Sequence, residues 1–257
     1  MSRRPLVALA GVALAGSVLV AAPAEAATYG VTLDLSKVKA DVGQKIGLSG
    51  KVTGSKSAKK KLSVQYRLGN GTWKTVKTVT TSSKATYATT FTVKTAGDAG
   101  LRVVAPKSGS TKAGTSPTKT FAGYRWLWLT QQSHYVAGAM FIDSPNMVEG
   151  KDRPRTIDLG SEGSSASITW NLQEKCDTSD ITVALNDQQN PASEQVYYET
   201  NDGGATVTAT NGARTPANGV SSSSEYLTFR RGSTTRDVLM VSPRVHCKVN
   251  ELPRVSF

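Results

Sequence analysis

The stretch IDLGSEGSSASITWNLQEKCDTSDITVALNDQQNPASEQVYYETND, residues 157–202, decides the fold. Within it Ile168, Trp170 and Leu172 alternate with polar neighbours, as do Ile181, Val183 and Leu185, and then Val196 and Tyr198. A period of two marks a strand with one buried face, and the polar stretches between the runs supply turns. Three strands of a β-sandwich are therefore expected here. The stretch holds no usable spacing of nucleophile, base or metal ligands.

At the N-terminus, MSRRPLVALAGVALAGSVLVAAPAEA places Arg3 and Arg4 before an uncharged apolar run that ends in Ala24, Glu25 and Ala26. A basic start, an apolar run and an A-x-A site make residues 1–26 a secretory signal peptide, cleaved after Ala26. A retained anchor would need about 20 apolar residues with matching flanks, and here the cleavage site interrupts the run. The expected protein is secreted, extracellular or cell-wall associated, and not membrane-spanning.

The 231 residues that remain suit two domains of about 100 residues or slightly more each. They are poor in long helical patterns and rich in Thr, Ser, Val and Gly, which points to an all-β chain. Charge divides it. Residues 27–122 carry 17 Lys or Arg against 3 Asp or Glu, a net of +14, while residues 123–257 carry 12 against 15, a net of −3. A basic exported domain is drawn to anionic cell-wall polymers, acidic polysaccharide or lipid headgroups. Lysines also keep a β-domain soluble and guard its strand edges. Nothing resembles a base-reading module, so no specific nucleic acid is expected as a partner.

In residues 27–122 the apolar alternation recurs at Val31, Leu33 and Leu35, at Ile46, Leu48 and Val52, at Leu62, Val64 and Tyr66, at Tyr87, Phe91 and Val93, and at Leu101 and Val103. A last strand is expected near residues 118–121. Asn70 and Gly71 form the pair that favours a type I′ hairpin turn. The residues DVGQKIGLSGKV, LSVQYRLGNGTWKTVKTV and ATYATTFTVKTAGDAGLRVV resemble the Ig-like modules of secreted actinobacterial proteins. Ala85 and Thr86 stand where those modules carry glycine before the tyrosine. The resemblance implies an Ig-like β-sandwich that serves as a spacer or adhesion module without catalysis. Lys59, Lys60 and Lys61 form a charge run in a Gly and Ser rich loop and are candidate ligand-binding residues, with a solvated loop as the plainer reading.

Residues 123–257 open with YRWLWLTQQ, in which Trp126 and Trp128 alternate with Leu127 and Leu129. The two tryptophans either pack in a core or domain interface, or form an exposed patch able to stack on sugar rings. They are the second pair of candidate ligand-binding residues. Further strands are expected over residues 139–142 and 156–159. Asp143, Glu149 and Asp152 gather between them without any calcium-loop spacing. The segments TIDLG, SITWNLQEKCDTSDITVALNDQ, EQVYYETNDGG and EYLTFRRGSTTRDVLMVSPRVHC resemble the novel carbohydrate-binding module family, a jelly-roll found attached to secreted glycosidases. Leu159, Cys176, Asp187, Val196, Asp202 and Gly203 occupy that family's places. The resemblance implies a jelly-roll-like β-sandwich with carbohydrate as its ligand class.

Cys176 and Cys247 are the two cysteines, and an even pair in an exported protein reads as a disulfide. The bond would close a loop of about 70 residues, worth roughly 4 kcal/mol in the chain-entropy picture. A metal pair with the neighbouring His246 lacks the spacing of a tetrahedral site. No catalytic motif is found, and neither His134 nor His246 sits in one. The expectation is a non-enzymatic protein with no cofactor and no metal. It binds extracellular polysaccharide or an anionic cell-wall polymer, or else serves as a protein-interaction or structural surface module such as an adhesin or inhibitor.

Overall fold

The computed structural model describes residues 26–138, 140–160, 165–187, 193–232 and 237–255. All but Ala26 of the expected signal peptide lies outside them, as does Ala139 at the start of one expected strand. The described chain is all-β, and its one helical element is a 3-10 turn, Leu129–Gln131.

The first sandwich is built from β1 (Gly30–Val31), β2 (Asp34–Leu35), β3 (Lys39–Asp41), β4 (Lys45–Thr53), β5 (Lys61–Leu68), β6 (Lys74–Thr80), β7 (Thr86–Thr92), β8 (Gly97–Ala105), β9 (Gly114–Thr115) and the start of β10 (Lys119–Trp128). In one sheet β1, β2 and β7 all pair with β4, and in the facing sheet the order is β6–β5–β8–β10. The short β3 leaves the first sheet and pairs in parallel with β10. Alternation puts Ile46, Leu48 and Val52 from one sheet against Leu62, Val64, Leu101 and Val103 from the other. The rings of Tyr66, Phe91 and Phe121 close the core, with centroids 5.2 and 5.8 Å apart.

The β5–β6 turn differs from the expected type I′ form. The Gly71 N–H donates to the Leu68 carbonyl at 2.9 Å, so the central residues are Gly69 and Asn70, and only Gly69, at φ 51°, is left-handed. Gly69 reaches positive φ because it has no Cβ to resist it. Ala85, at the place the Ig-like resemblance marks for glycine, also adopts positive φ, at 59°.

The second sandwich takes the rest of β10, then β11 (Tyr135–Ala137), β12 (Phe141–Val148), β13 (Lys151–Asp158), β14 (Ala166–Asn171), β15 (Cys176–Leu185), β16 (Ser193–Thr200), β17 (Gly203–Thr210), β18 (Thr215–Pro216), β19 (Tyr226–Arg231) and β20 (Val238–Cys247). One sheet has the order β11–β14–β19–β16–β17. In the other, β20 pairs with β13, β15 and β10. The three alternating runs of the opening stretch are β14, β15 and β16, and they interleave: β14 and β16 lie in one sheet and β15 in the facing one. Their inward residues Ile168, Trp170, Ile181, Val183, Leu185 and Val196 share one core and are fully buried. Burying a side chain of this size contributes about 1.5–3 kcal/mol. Cys176 and Cys247 sit directly opposite each other on β15 and β20 and form the disulfide, 71 residues apart in sequence.

The expected boundary between residues 122 and 123 falls inside β10. Residues Lys119 to Gly123 pair with β8 of the first sandwich, and Arg125 to Trp128 pair with β20 of the second. The sheet runs through without a linker. The charge balance changes at this point, but the chain stays extended, because Phe121 faces the first core and Leu127 the second.

Candidate functional site

The lysine run is divided by burial. Lys60 is only 8 % exposed, its ammonium lies 4.0 Å from the Tyr29 ring centroid, and its backbone N–H donates to Thr81 Oγ1 at 2.8 Å. Lys59 and Lys61 are exposed on either side. Lys60 therefore stabilises the loop, and two solvated ammonium groups remain.

Trp126 and Trp128 lie in neither core. They stand with Tyr124 on the face of β10 turned away from Phe121 and Leu127, opposite His246 and Arg244 of β20. Rings and cations alternate there in a single stack. The Arg155 guanidinium is 4.4 Å from the Trp128 ring, and that of Arg244 is 5.5 Å from the same ring and 4.6 Å from Trp126. His246 lies 5.0 Å from Trp126 and 4.9 Å from Tyr124, over which Lys39 Nζ sits at 5.6 Å.

Carboxylates hold the middle of this stack. Arg244 donates through Nε and Nη2 to Asp180 Oδ2 at 2.9 and 2.6 Å. His246 Nδ1 is 2.7 Å from Asp177 Oδ1, and its Nε2 is 3.1 Å from Asp41 Oδ1. Asp41 comes from β3 of the first sandwich and Asp177 from β15 of the second, so one imidazole ties the two together. Lys248 to Asp98 at 3.6 Å and Asn250 Nδ2 to Thr95 Oγ1 at 3.0 Å add further ties. With Arg244 matched by Asp180 and His246 held between two carboxylates, this stack is built as a joint.

A second cation–aromatic cluster lies on the outer face of the first sandwich. Trp73 follows the β5–β6 turn, and a Cβ on Gly100 of β8 would come within 3.2 Å of its Cη2. The ring thus occupies the space that a side chain at residue 100 would need. The guanidinium of Arg67, from β5, is 4.7 Å from the ring centroid, and that of Arg102, from β8, is 4.3 Å. Arg102 Nε donates to Gln65 Oε1 at 2.8 Å. Among the described residues neither guanidinium has a carboxylate in ion-pair range. Beside Arg67 an open groove of about 640 Å³ passes Asn70, Asp98, Gly100 and Thr120.

The third site is an open cleft of about 560 Å³ on the outer face of the five-stranded sheet, lined by Ser167, Gln195, Tyr197, Thr206 and Arg230 among others. Val196 points into the core, so its neighbours Gln195 and Tyr197 point out. A Cβ on Gly204 of β17 would meet the Tyr197 hydroxyl and lie 2.8 Å from its Cζ, so the ring lies down across the sheet with 39 % of the residue exposed. Arg230, directly opposite Tyr197 on β19, donates through Nη2 to Glu199 Oε1 at 2.8 Å. Thr169 and Thr228 hydroxyls pair at 2.8 Å one row away.

Of the acidic residues marked in the sequence, Glu149, Asp187 and Asp202 have structural partners. Glu149 pairs with Arg153 and Arg214 at 2.6 and 3.0 Å, and Asp187 accepts the Glu149 and Gly150 N–H groups at the β12–β13 turn. The hydroxyl of Ser221, then those of Ser223 and Ser224, hold the Asp202 carboxyl below its usual range. Burial pushes the Asp158 carboxyl up, against the opposing hydrogen bond from the Gly160 N–H. Among the described residues no group of three or more His, Cys, Asp or Glu is placed to hold a metal ion, and no helix is long and apolar enough to cross a membrane. No family model matches the chain, and no curated protein matches it.

Proposed function

We propose that the protein is secreted and non-catalytic and binds extracellular glycan on the outer face of the five-stranded sheet. The observation that carries this reading is the exposed Tyr197 ring, reaching with its hydroxyl end over Gly204 inside an open, hydroxyl-lined cleft. An exposed aromatic ring offers an apolar surface to the C–H face of a sugar. Gln195, Ser167, Thr206 and Arg230 surround it with donors and acceptors of the kind that fix orientation in a mostly open site. The Arg230–Glu199 pair leaves the surface locally neutral, which suits a polyhydroxyl ligand better than a strongly charged one. The expected signal peptide would carry the protein to where such polymers occur, and the Cys176–Cys247 bond fits an oxidising compartment.

The test uses the full mature chain, because cutting at the charge boundary would split β10. It is sedimented with purified cell wall and with insoluble neutral polysaccharides at high salt, which screens generic charge attraction. Retention that is lost in Tyr197→Ala, with the melting temperature kept, supports the reading. Absence of retention on every glycan sinks it and leaves a protein partner as the better account.

A further inference from the structure

We infer that the outer face of the first sandwich is a separate anion-binding site, with Arg67 and Arg102 as its ligand-binding residues and a phosphate-bearing cell-wall polymer as its ligand. It does not depend on the Tyr197 cleft, which lies on the other sandwich.

Three observations converge on it. The first is the absence of neutralising partners. Arg153, Arg214, Arg230 and Arg244 of the second sandwich each meet a carboxylate, whereas Arg67 and Arg102 meet a tryptophan and, for Arg102, an amide oxygen. The second is preorganisation. Ring contact and the Gln65 hydrogen bond restrain side chains that would otherwise lose rotamer freedom on binding. The absent side chain at Gly100 makes room for the ring that does this. The third is the surrounding field, since residues 27–122 carry a net +14.

The chemistry favours phosphate. A guanidinium in contact with an aromatic face still presents its edge N–H groups, and these match phosphate oxygens in a fork. Two guanidiniums on one ring provide two such forks, so they suit a chain that carries anions at intervals. The groove beside Arg67, past Asn70 and Thr120, gives that chain a path. Asp98 on the groove wall opposes an anion, and its contact with Lys248 at 3.6 Å partly offsets this.

The experiment measures binding of the full mature chain to a purified poly(glycerol phosphate), with polygalacturonate as the carboxylate control, across a salt series. Arg67→Gln/Arg102→Gln should weaken binding by about tenfold or more, as expected for loss of two charge-assisted contacts. Lys59→Gln/Lys61→Gln removes the same charge from exposed positions away from the ring and should weaken it by about twofold at most. Asp98→Asn should strengthen it, a gain that misfolding cannot imitate. Tyr197→Ala should leave it unchanged, which separates this site from the proposed glycan cleft. Equal losses in the arginine and lysine pairs would overturn the inference and reduce the attraction to net charge. Preference for polygalacturonate would overturn the phosphate assignment.

Discussion

The molecule contains two stacks of cations on aromatic rings, and they differ in one respect. At the junction, Arg244 and His246 lie among Trp126, Trp128 and Tyr124, and each also meets a carboxylate. On the first sandwich, Arg67 and Arg102 lie against Trp73 with no carboxylate in ion-pair range among the described residues. A cation–aromatic contact is worth about 0.5–1 kcal/mol at an exposed site, so both stacks stiffen the surface that carries them. Neutralisation decides what else they can do. At the centre of the junction stack the Arg244 charge is matched by Asp180 of β15, and the Trp73 cluster still has charge to offer a ligand.

Removing the covalent support of the junction gives the largest expected effect. Cys176→Ser/Cys247→Ser removes the covalent tie between β20 and β15 and should lower stability by about 2–5 kcal/mol in a urea titration. A mass measurement with and without reductant checks the bond in the exported protein. Next in size is His246→Ala, which leaves Asp41 and Asp177 facing each other without their shared partner and should cost about 2 kcal/mol. Its effect should appear as faster amide exchange in both β3 and β15. If exchange speeds up in only one of them, the imidazole does not join the two sandwiches. Trp73→Ala should cost about 1 kcal/mol or less, with weaker binding to the phosphate polymer, because it removes the ring that restrains both guanidiniums.

The smallest effect concerns a turn that belongs to neither stack. Three hydroxyls hold the Asp202 carboxyl below its usual range. A depressed folded value contributes stability that is present above the unfolded value and lost as pH falls through the folded one. Asp202→Ala should therefore lower the melting temperature slightly at neutral pH, with the difference from the parent shrinking once pH falls below about 4 and vanishing below the folded value. Polymer binding at neutral pH should not change, which makes this variant a control for the others.

Much of this was legible from residue order. The alternation of Ile168, Trp170 and Leu172, and of Ile181, Val183 and Leu185, marked strands and named their buried faces, and the cysteine pair marked the bond. The same alternation held the outward residues as well: with Val196 and Tyr198 inward, Tyr197 and Glu199 face out, and with Leu101 and Val103 inward, so does Arg102. Which strands become neighbours is set by pairing across the sheet, so the meeting of Arg67 with Arg102, or of Asp41 with His246 from 205 positions away, could not be read. β17 was missed because the apolar side of GGATVTAT is only Ala205, Val207 and Ala209, small side chains on a strand exposed along most of its length. The boundary in β10 was misleading for a related reason: composition records which body a residue serves, while an extended strand can serve two.

The division of labour between the two stacks is tested most directly by measuring melting temperature and retention on the phosphate polymer side by side for Arg244→Gln and Arg102→Gln. The account predicts that Arg244→Gln lowers the melting temperature and leaves retention unchanged, while Arg102→Gln weakens retention and leaves the melting temperature nearly unchanged. The opposite pattern, with Arg244→Gln losing the polymer and Arg102→Gln losing stability, would contradict it.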